Sequence, residues 1–190
     1  MRGLFSFGLF WGLCIFLHGK LANFTYKNGL SINLLQSPPL YDIVQVNFPN
    51  LQEYRVIPEV LHIIPVITLA FYCVWHKNVV CFQKFLVNHG LLMLLRAVLF
   101  TVTLLPDSSR MCEVSSHIGS CFDLLFSGHS TIMLLCSLLL DSQFKIPLSF
   151  KLFIYSNTAI TSFFIILCRN HYTIDILVSF LLTYSVYKIF

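Results

Sequence analysis

The feature that most constrains this chain is a series of six apolar stretches, each close to the length that crosses a lipid bilayer. They are residues 3–18, 57–75, 85–105, 122–140, 148–168 and 171–190. A spanning helix needs roughly 20 mostly apolar residues. Lipid forces such a segment to be helical, because it must satisfy its own backbone hydrogen bonds. The pattern predicts an all-α, polytopic membrane protein with six transmembrane helices.

The composition supports a single membrane domain covering residues 1–190. Hydrophobic residues make up 57% of the chain and charged residues 11%, whereas a soluble domain carries about 25% charged residues. The net charge of +4 is small. Beside long apolar runs, it is typical of loop charges that set membrane topology rather than of a nucleic-acid surface. We therefore expect membrane lipids as partners and no nucleic acid.

The first apolar stretch has two interpretations. Arg2 followed by apolar residues also resembles a signal peptide, but the sequence LHGKLAN after it is a poor small-residue cleavage site. A retained helix is therefore favoured. Lys and Arg in the connecting segments are slightly more numerous on the membrane side that would hold both termini. This weak bias predicts that the termini are cytosolic.

This topology places residues 19–56 in a first outside loop. Asn23 begins a glycosylation sequon there, and Pro38-Pro39 resists regular helix. Cys112 and Cys121 flank a later loop and could pair in an oxidising lumen.

His171 and Asp175 lie four residues apart at the start of the last stretch. On a helix they share one face. The carboxylate would then fix the imidazole tautomer and leave the other ring nitrogen free as a nucleophile or base. Ionisable pairs inside membrane segments indicate a functional site. The alternative is that both side chains are solvated at the membrane interface.

His129 lies in the sequence FSGHS, about two turns into the fourth stretch. Asp123 precedes it, and we expect Asp123 to belong to the phosphate or head-group site. Gly128 permits close backbone approach, and Ser127 could donate to a phosphate oxygen together with backbone N–H groups. A satisfied core histidine is the alternative for His129. The predicted topology, however, places it near the same outer membrane face as His171 and Asp175.

Two arginines, Arg96 and Arg169, lie on that side as well. The planar guanidinium suits a phosphate, although Arg96 could instead pair with an acid such as Asp123 or Glu59. Two histidines, a carboxylate and arginines indicate phosphoryl transfer through a phospho-histidine. One histidine attacks phosphorus, and the other protonates the leaving alcohol and then deprotonates the incoming one. No carboxylate cluster suited to Mg²⁺ accompanies them in the sequence, so we expect neither a metal nor another cofactor.

Four segments carry a family resemblance. SPPLYD (37–42) resembles a PPLPD segment, RAVLFTVTLLP (96–106) resembles RxITxYVTxLP, CFDLLFSGHS (121–130) resembles CGDxxxSGHT, and HYTIDILVSFLLT (171–183) resembles HYTVDVxxAYxxT. Together they span residues 37–183 and resemble the sphingomyelin synthase family, within the lipid phosphatase superfamily. Tyr41, Phe122 and Ser130 depart from the family pattern.

The resemblance implies six helices and a triad of His129, His171 and Asp175 that faces the lumen or cell exterior. His171 would be the nucleophile, and His129 the acid and then the base. The reaction would transfer a phosphorylated head group from a glycerophospholipid to ceramide and release diacylglycerol. Golgi and plasma membrane both suit such a site.

The donor head group stays open among choline, ethanolamine and inositol phosphates. Arg169-Asn170 before His171 looks more like the inositol phosphorylceramide synthases. Two other functions also stay open. One is a lipid phosphate phosphatase with water as acceptor, although its KxxxxxxRP motif does not occur here. The other is a catalytically inactive membrane protein that binds lipid or partners, against which the intact triad argues. The oligomeric state is not readable from the sequence.

Overall fold

The computed structural model describes residues 2–109 and 122–190, with side chains from Leu4 onward. Within these ranges the chain is all-helical and contains no strand, which confirms the predicted class. The helices are α1 (Arg2–Ser31), α2 (Ile43–Asn47), α3 (Val56–Leu61), α4 (Ile63–Trp75), α5 (Val79–Val102), α6 (Gly128–Gln143), α7 (Leu148–Leu167) and α8 (Thr173–Ile189). The predicted Cys112–Cys121 pairing falls outside the described residues.

Helix α6 forms the centre of the bundle. It packs against α4, α5, α7 and α8, whereas α1 lies along α5 and the short α3 contacts α7. Leu135, Leu139 and Leu140 of α6 are completely buried in the main apolar core. By contrast, α1 exposes large apolar side chains such as Phe5 and Leu9, which is the surface expected of a helix that faces lipid.

Four described helical segments are long and apolar enough to cross a membrane: Leu4–Ser31, Gln52–Trp75, Val79–Val102 and Leu148–Leu167. Four of the six predicted spans are thereby confirmed by length and composition. Helices α6 and α8 have 16 and 17 residues. At a rise of 1.5 Å per residue they are about 24 and 25 Å long, shorter than the hydrocarbon core of about 30 Å.

The fourth predicted stretch begins as a turn rather than as a helix. We predicted a helix from Phe122, but α6 begins at Gly128. Leu125 has a left-handed backbone with φ of 74°, and its N–H donates to Asp175 Oδ1 at 3.0 Å instead of to a carbonyl of its own helix. His129 is therefore the second residue of α6, and the prediction that it lies two turns inside a helix is wrong.

The first helix is longer than predicted. Because α1 continues to Ser31, the predicted loop over residues 19–56 is wrong for its first third. Asn23 is exposed, but it lies within α1. The hydroxyl of Thr25, the third residue of the sequon, is buried 3.3 Å from that of Thr101 on α5. Glycosylation of Asn23 stays a prediction, now at a helical position.

Candidate active site

The carboxylate of Asp175 is held at the first turn of α8 by several N–H groups. Its Oδ2 accepts from the Tyr172 amide at 3.0 Å and lies 3.0 Å from His171 Nδ1. Its Oδ1 accepts from the Leu125 amide. Asp175 is fully buried and His171 is 6% exposed. The predicted His171–Asp175 contact therefore exists, which fixes the imidazole orientation.

The geometry of this pair differs from the expected one. Helix α8 begins at Thr173, so His171 precedes it instead of occupying its first turn. Asp175 is the third helical residue and closes a capping box with Tyr172. The capping turn, rather than a shared helix face, brings the histidine to the carboxylate.

His129 faces a carboxylate that sequence reasoning did not assign to the site. Its Nε2 lies 3.1 Å from Oε2 of Glu59 on α3. The ring of His62 packs edge-on against that of His129, with 4.6 Å between centroids. Glu59, His62 and His129 therefore form one cluster around the starts of α4 and α6.

A signal for the missed residues was present in the sequence. Glu59 and His62 are three residues apart, the spacing that places two side chains on one helix face. We considered Glu59 only as an alternative partner of Arg96.

The loop before α6 is bonded directly to α8. The Ser127 amide donates to Ser179 Oγ at 2.6 Å, and that hydroxyl donates to the Asp175 carbonyl oxygen at 2.6 Å. The Ser127 hydroxyl is buried and accepts from the Ser130 amide, 3.4 Å away, as the N-cap of α6. The two histidine motifs are thus joined through the Ser179 hydroxyl, which bridges the Ser127 amide and the Asp175 carbonyl oxygen. The predicted head-group contact of Ser127 stays a prediction.

Arg96 and Asp123 form a buried ion pair, the alternative that the sequence left open for Arg96. Nη2 of Arg96 lies 2.5 Å from Oδ2 of Asp123. Nε donates to the Phe126 carbonyl at 2.8 Å, and Nη1 lies 2.6 Å from His18 Nε2 on α1. These contacts tie α1, α5 and the loop before α6 together. Phosphate or head-group binding by Arg96 and Asp123 stays a prediction.

Arg169 lies beside the backbone of His171. It has a left-handed φ of 59°, and its guanidinium donates to the Gln45 carbonyl. The Gln45 side chain in turn donates to the His171 carbonyl at 3.0 Å. Arg169 lines a cavity of about 280 Å³ together with Asp42 and Ser108. A cavity with charged and polar residues in its lining therefore adjoins the segment before His171. Head-group binding by Arg169 stays a prediction.

The SPPLYD segment lies against the HYTID segment. The Leu40 amide donates to the Tyr172 hydroxyl, which donates to the Pro106 carbonyl. Asp42 accepts from the Thr173 amide at 2.6 Å and from the Thr173 hydroxyl at 2.8 Å. Burial acts to raise the pKa of Asp42, but its hydrogen bonds, chiefly those from Thr173, hold that pKa below its usual value.

Two comparisons with known proteins bear on this site. Residues 120–190 match the family model described as PAP2 superfamily C-terminal. A phosphatidylinositol:ceramide inositolphosphotransferase from Leishmania major is 29% identical over 126 residues. That match covers 56% of this chain and 37% of the length of the relative.

The fold and the family match give the class: a helical chain with four described helices suited to cross a membrane and a C-terminal region similar to the PAP2 superfamily. More particularly, the two matches confirm the predicted resemblance to sphingolipid head-group synthases of the lipid phosphate phosphatase superfamily.

Proposed function

We propose that this protein transfers a phosphorylated head group from a glycerophospholipid to ceramide and releases diacylglycerol. The observation that carries the proposal is the 3.0 Å contact between His171 Nδ1 and the buried Asp175 carboxylate. The name of the Leishmania relative states that it transfers inositol phosphate from phosphatidylinositol to ceramide. We therefore take phosphatidylinositol as the first donor to test.

The first step forms a covalent intermediate on His171. With Nδ1 facing Asp175, Nε2 is free to attack the donor phosphorus. The bond between phosphorus and the diacylglycerol oxygen breaks, and His129 gives that oxygen a proton. Diacylglycerol leaves, and the head group remains on His171 through a nitrogen–phosphorus bond. Asp175 stabilises the positive charge that the modified imidazole carries.

The second step transfers the head group to ceramide. The ceramide hydroxyl gives its proton to His129, and its oxygen attacks phosphorus. The nitrogen–phosphorus bond breaks, which restores His171. Glu59 stabilises the protonated form of His129, because its carboxylate lies 3.1 Å from Nε2. Gly128 and His129 begin α6, and helix N-termini favour bound phosphate oxygens.

We infer that α6 and α8 also cross the membrane, where local thinning of the bilayer accommodates their shorter length. This completes six spans with the site at the outer end. Helices α4 and α6 begin beside the His129 cluster and end at an opposite cavity of about 550 Å³. Lys77 and Lys145 line that cavity, and positive loop charge favours the cytosolic side. The proposed site therefore faces the lumen or cell exterior, with both termini cytosolic, in Golgi or plasma membrane.

A transfer assay tests the proposed function. The purified chain in proteoliposomes receives labelled ceramide and, in separate samples, phosphatidylinositol, phosphatidylcholine or phosphatidylethanolamine. We expect inositol phosphorylceramide and diacylglycerol in the first sample, identified by mass spectrometry. Phosphate release from a lipid phosphate without any sphingolipid product would support the phosphatase instead. Folded protein that forms no product from any donor would contradict an enzymatic function.

A further inference from the structure

We propose that Glu59, His62 and His129 form a binding site for Zn²⁺ or a similar divalent transition metal, whose occupancy prevents proton transfer by His129. The three candidate ligand atoms, Glu59 Oε2, one His62 ring nitrogen and one His129 ring nitrogen, lie within 4.8 Å of one another. One carboxylate and two imidazoles form a donor set typical of zinc sites. Magnesium prefers oxygen ligands and would bind poorly here.

The distances are close to those of a tetrahedral zinc site. Zinc lies about 2.0–2.1 Å from such donors, so tetrahedral geometry separates them by roughly 3.4 Å. Glu59 Oε2 is 3.1 Å from His129 Nε2 and 4.0 Å from His62 Nδ1. A small side-chain adjustment would bring all three into range. Glu59 lies within α3 and His62 directly follows it, so one helix end presets two of the ligands.

A buried ring nitrogen of His62 is a second observation that favours a bound metal ion. Among the described residues, His62 Nδ1 is a buried atom without a hydrogen-bond partner. Leaving such an atom unsatisfied costs free energy, and a metal would supply the missing partner. The side chains of Glu59 and His129 are 48% and 34% exposed, so the cluster reaches the protein surface. Three protein ligands also leave a fourth position for water or a phosphate oxygen.

Metal binding would conflict with the proposed role of His129. A nitrogen lone pair bound to zinc cannot accept a proton, so His129 could neither protonate diacylglycerol nor deprotonate ceramide. This inhibitory consequence rests on the proposed function, whereas the metal site itself does not. Binding is therefore measured separately from turnover.

The binding experiment uses the whole 190-residue chain, treated with EDTA and exposed to buffered free Zn²⁺. Retained zinc is measured by mass spectrometry, and Co²⁺ absorption reports tetrahedral coordination. His62→Gln removes one ligand, and His76→Gln is the matched control because His76 also follows a helix end, at the opposite end of α4. Any zinc that the buried cysteines retain is the same in wild type, H62Q and H76Q, so it cancels in the comparison.

We expect wild type and H76Q to retain one more zinc ion than H62Q, whose affinity for this site should fall by at least about tenfold. Equal zinc content and equal Co²⁺ spectra in wild type and H62Q would contradict the proposed metal site.

The transfer assay then tests whether bound metal inhibits head-group transfer. We expect buffered Zn²⁺ to inhibit wild type reversibly, with recovery on addition of a chelator and no inhibition by Mg²⁺. Unchanged or higher turnover at a zinc concentration that fills the site would contradict the proposal that bound metal prevents proton transfer by His129. A chain that binds zinc but transfers no head group would contradict the proposed function and leave the metal site standing.

Discussion

Both carboxylate oxygens of Asp42 accept hydrogen bonds from Thr173, which lies 131 residues later in the sequence. The Thr173 amide donates to Oδ2 at 2.6 Å, and the Thr173 hydroxyl donates to Oδ1 at 2.8 Å. Asp42 also caps α2 by accepting from the Val44 and Gln45 amides. One carboxylate therefore holds the segment before α3 against the first residue of α8, two residues after His171.

The first prediction concerns the charge of Asp42. Asp42→Asn should lower the free energy of unfolding by about 1–3 kcal/mol at pH 7, because hydrogen bonds to a charged group are the stronger ones. Thermal unfolding in detergent measures the change.

The pH dependence gives this prediction its control. Since folding lowers the pKa of Asp42, the carboxylate contributes stability above the unfolded pKa of about 3.9 and loses it as pH falls through the folded pKa. The difference between wild type and D42N should therefore shrink in acid. A difference that grows as pH falls would contradict this assignment.

The second prediction concerns the buried Arg96–Asp123 pair. Asp123→Asn removes the carboxylate charge but keeps the shape, which leaves the guanidinium with no opposing charge from its partner. We expect a loss of about 3–5 kcal/mol, the cost of breaking a buried ion pair. Thermal unfolding of D123N, R96M and the R96M/D123L double variant measures it.

The double variant should be more stable than either single one, because it buries no unpaired charge. If Arg96 served mainly to bind phosphate, R96M would unfold like wild type and show only a raised KM for the donor lipid. That result would refute a structural role for the pair.

The third prediction compares two glycines of α1. A Cβ added at Gly29 would lie 2.2 Å from the ring of Phe122, whereas one at Gly19 meets nothing within 4 Å. Gly29→Ala must displace a completely buried ring next to Asp123, and overpacking of this kind costs about 1–3 kcal/mol. Gly19→Ala should instead be neutral or stabilise the helix by up to about 1 kcal/mol. Equal melting temperatures for the two variants would show that the Phe122 contact is absent in solution.

The fourth prediction concerns the orientation of His171. Asp175→Asn should reduce kcat by roughly 10⁴-fold, the size of loss found when the corresponding carboxylate of a histidine triad is replaced. The KM for the donor lipid should change little, because Asp175 is fully buried behind His171. Asp141→Asn is the matched control: Asp141 lies near the other end of α6, where it pairs with Lys151. Similar turnover in D175N and wild type would refute the assigned role of Asp175.

The apolar stretches predicted the helices well and their ends poorly. Hydropathy does not distinguish residues 122–127 from the helix that follows, because the turn at Leu125 depends on a bond to Asp175, fifty residues later. Likewise, α1 continues through polar residues to Ser31 because it packs along α5. Such contacts between distant segments are not readable from local periodicity.

The site was predicted in part. The spacing of His171 and Asp175 correctly predicted their contact, although a capping turn makes it instead of a helix face. Glu59 was missed because a carboxylate in an apolar stretch could pair with either Arg96 or a histidine. Only the structure shows that Arg96 forms an ion pair with Asp123, whereas Glu59 faces His129.

The central claim is that His171 carries the head group between donor and acceptor, and trapping that intermediate tests it directly. Wild type and His171→Ala are incubated with phosphatidylinositol labelled in its head group, without ceramide, and denatured at neutral to alkaline pH. We predict covalent label on wild type that ceramide discharges as inositol phosphorylceramide, and neither label nor turnover in a folded H171A variant. Label or wild-type turnover in H171A would contradict the account.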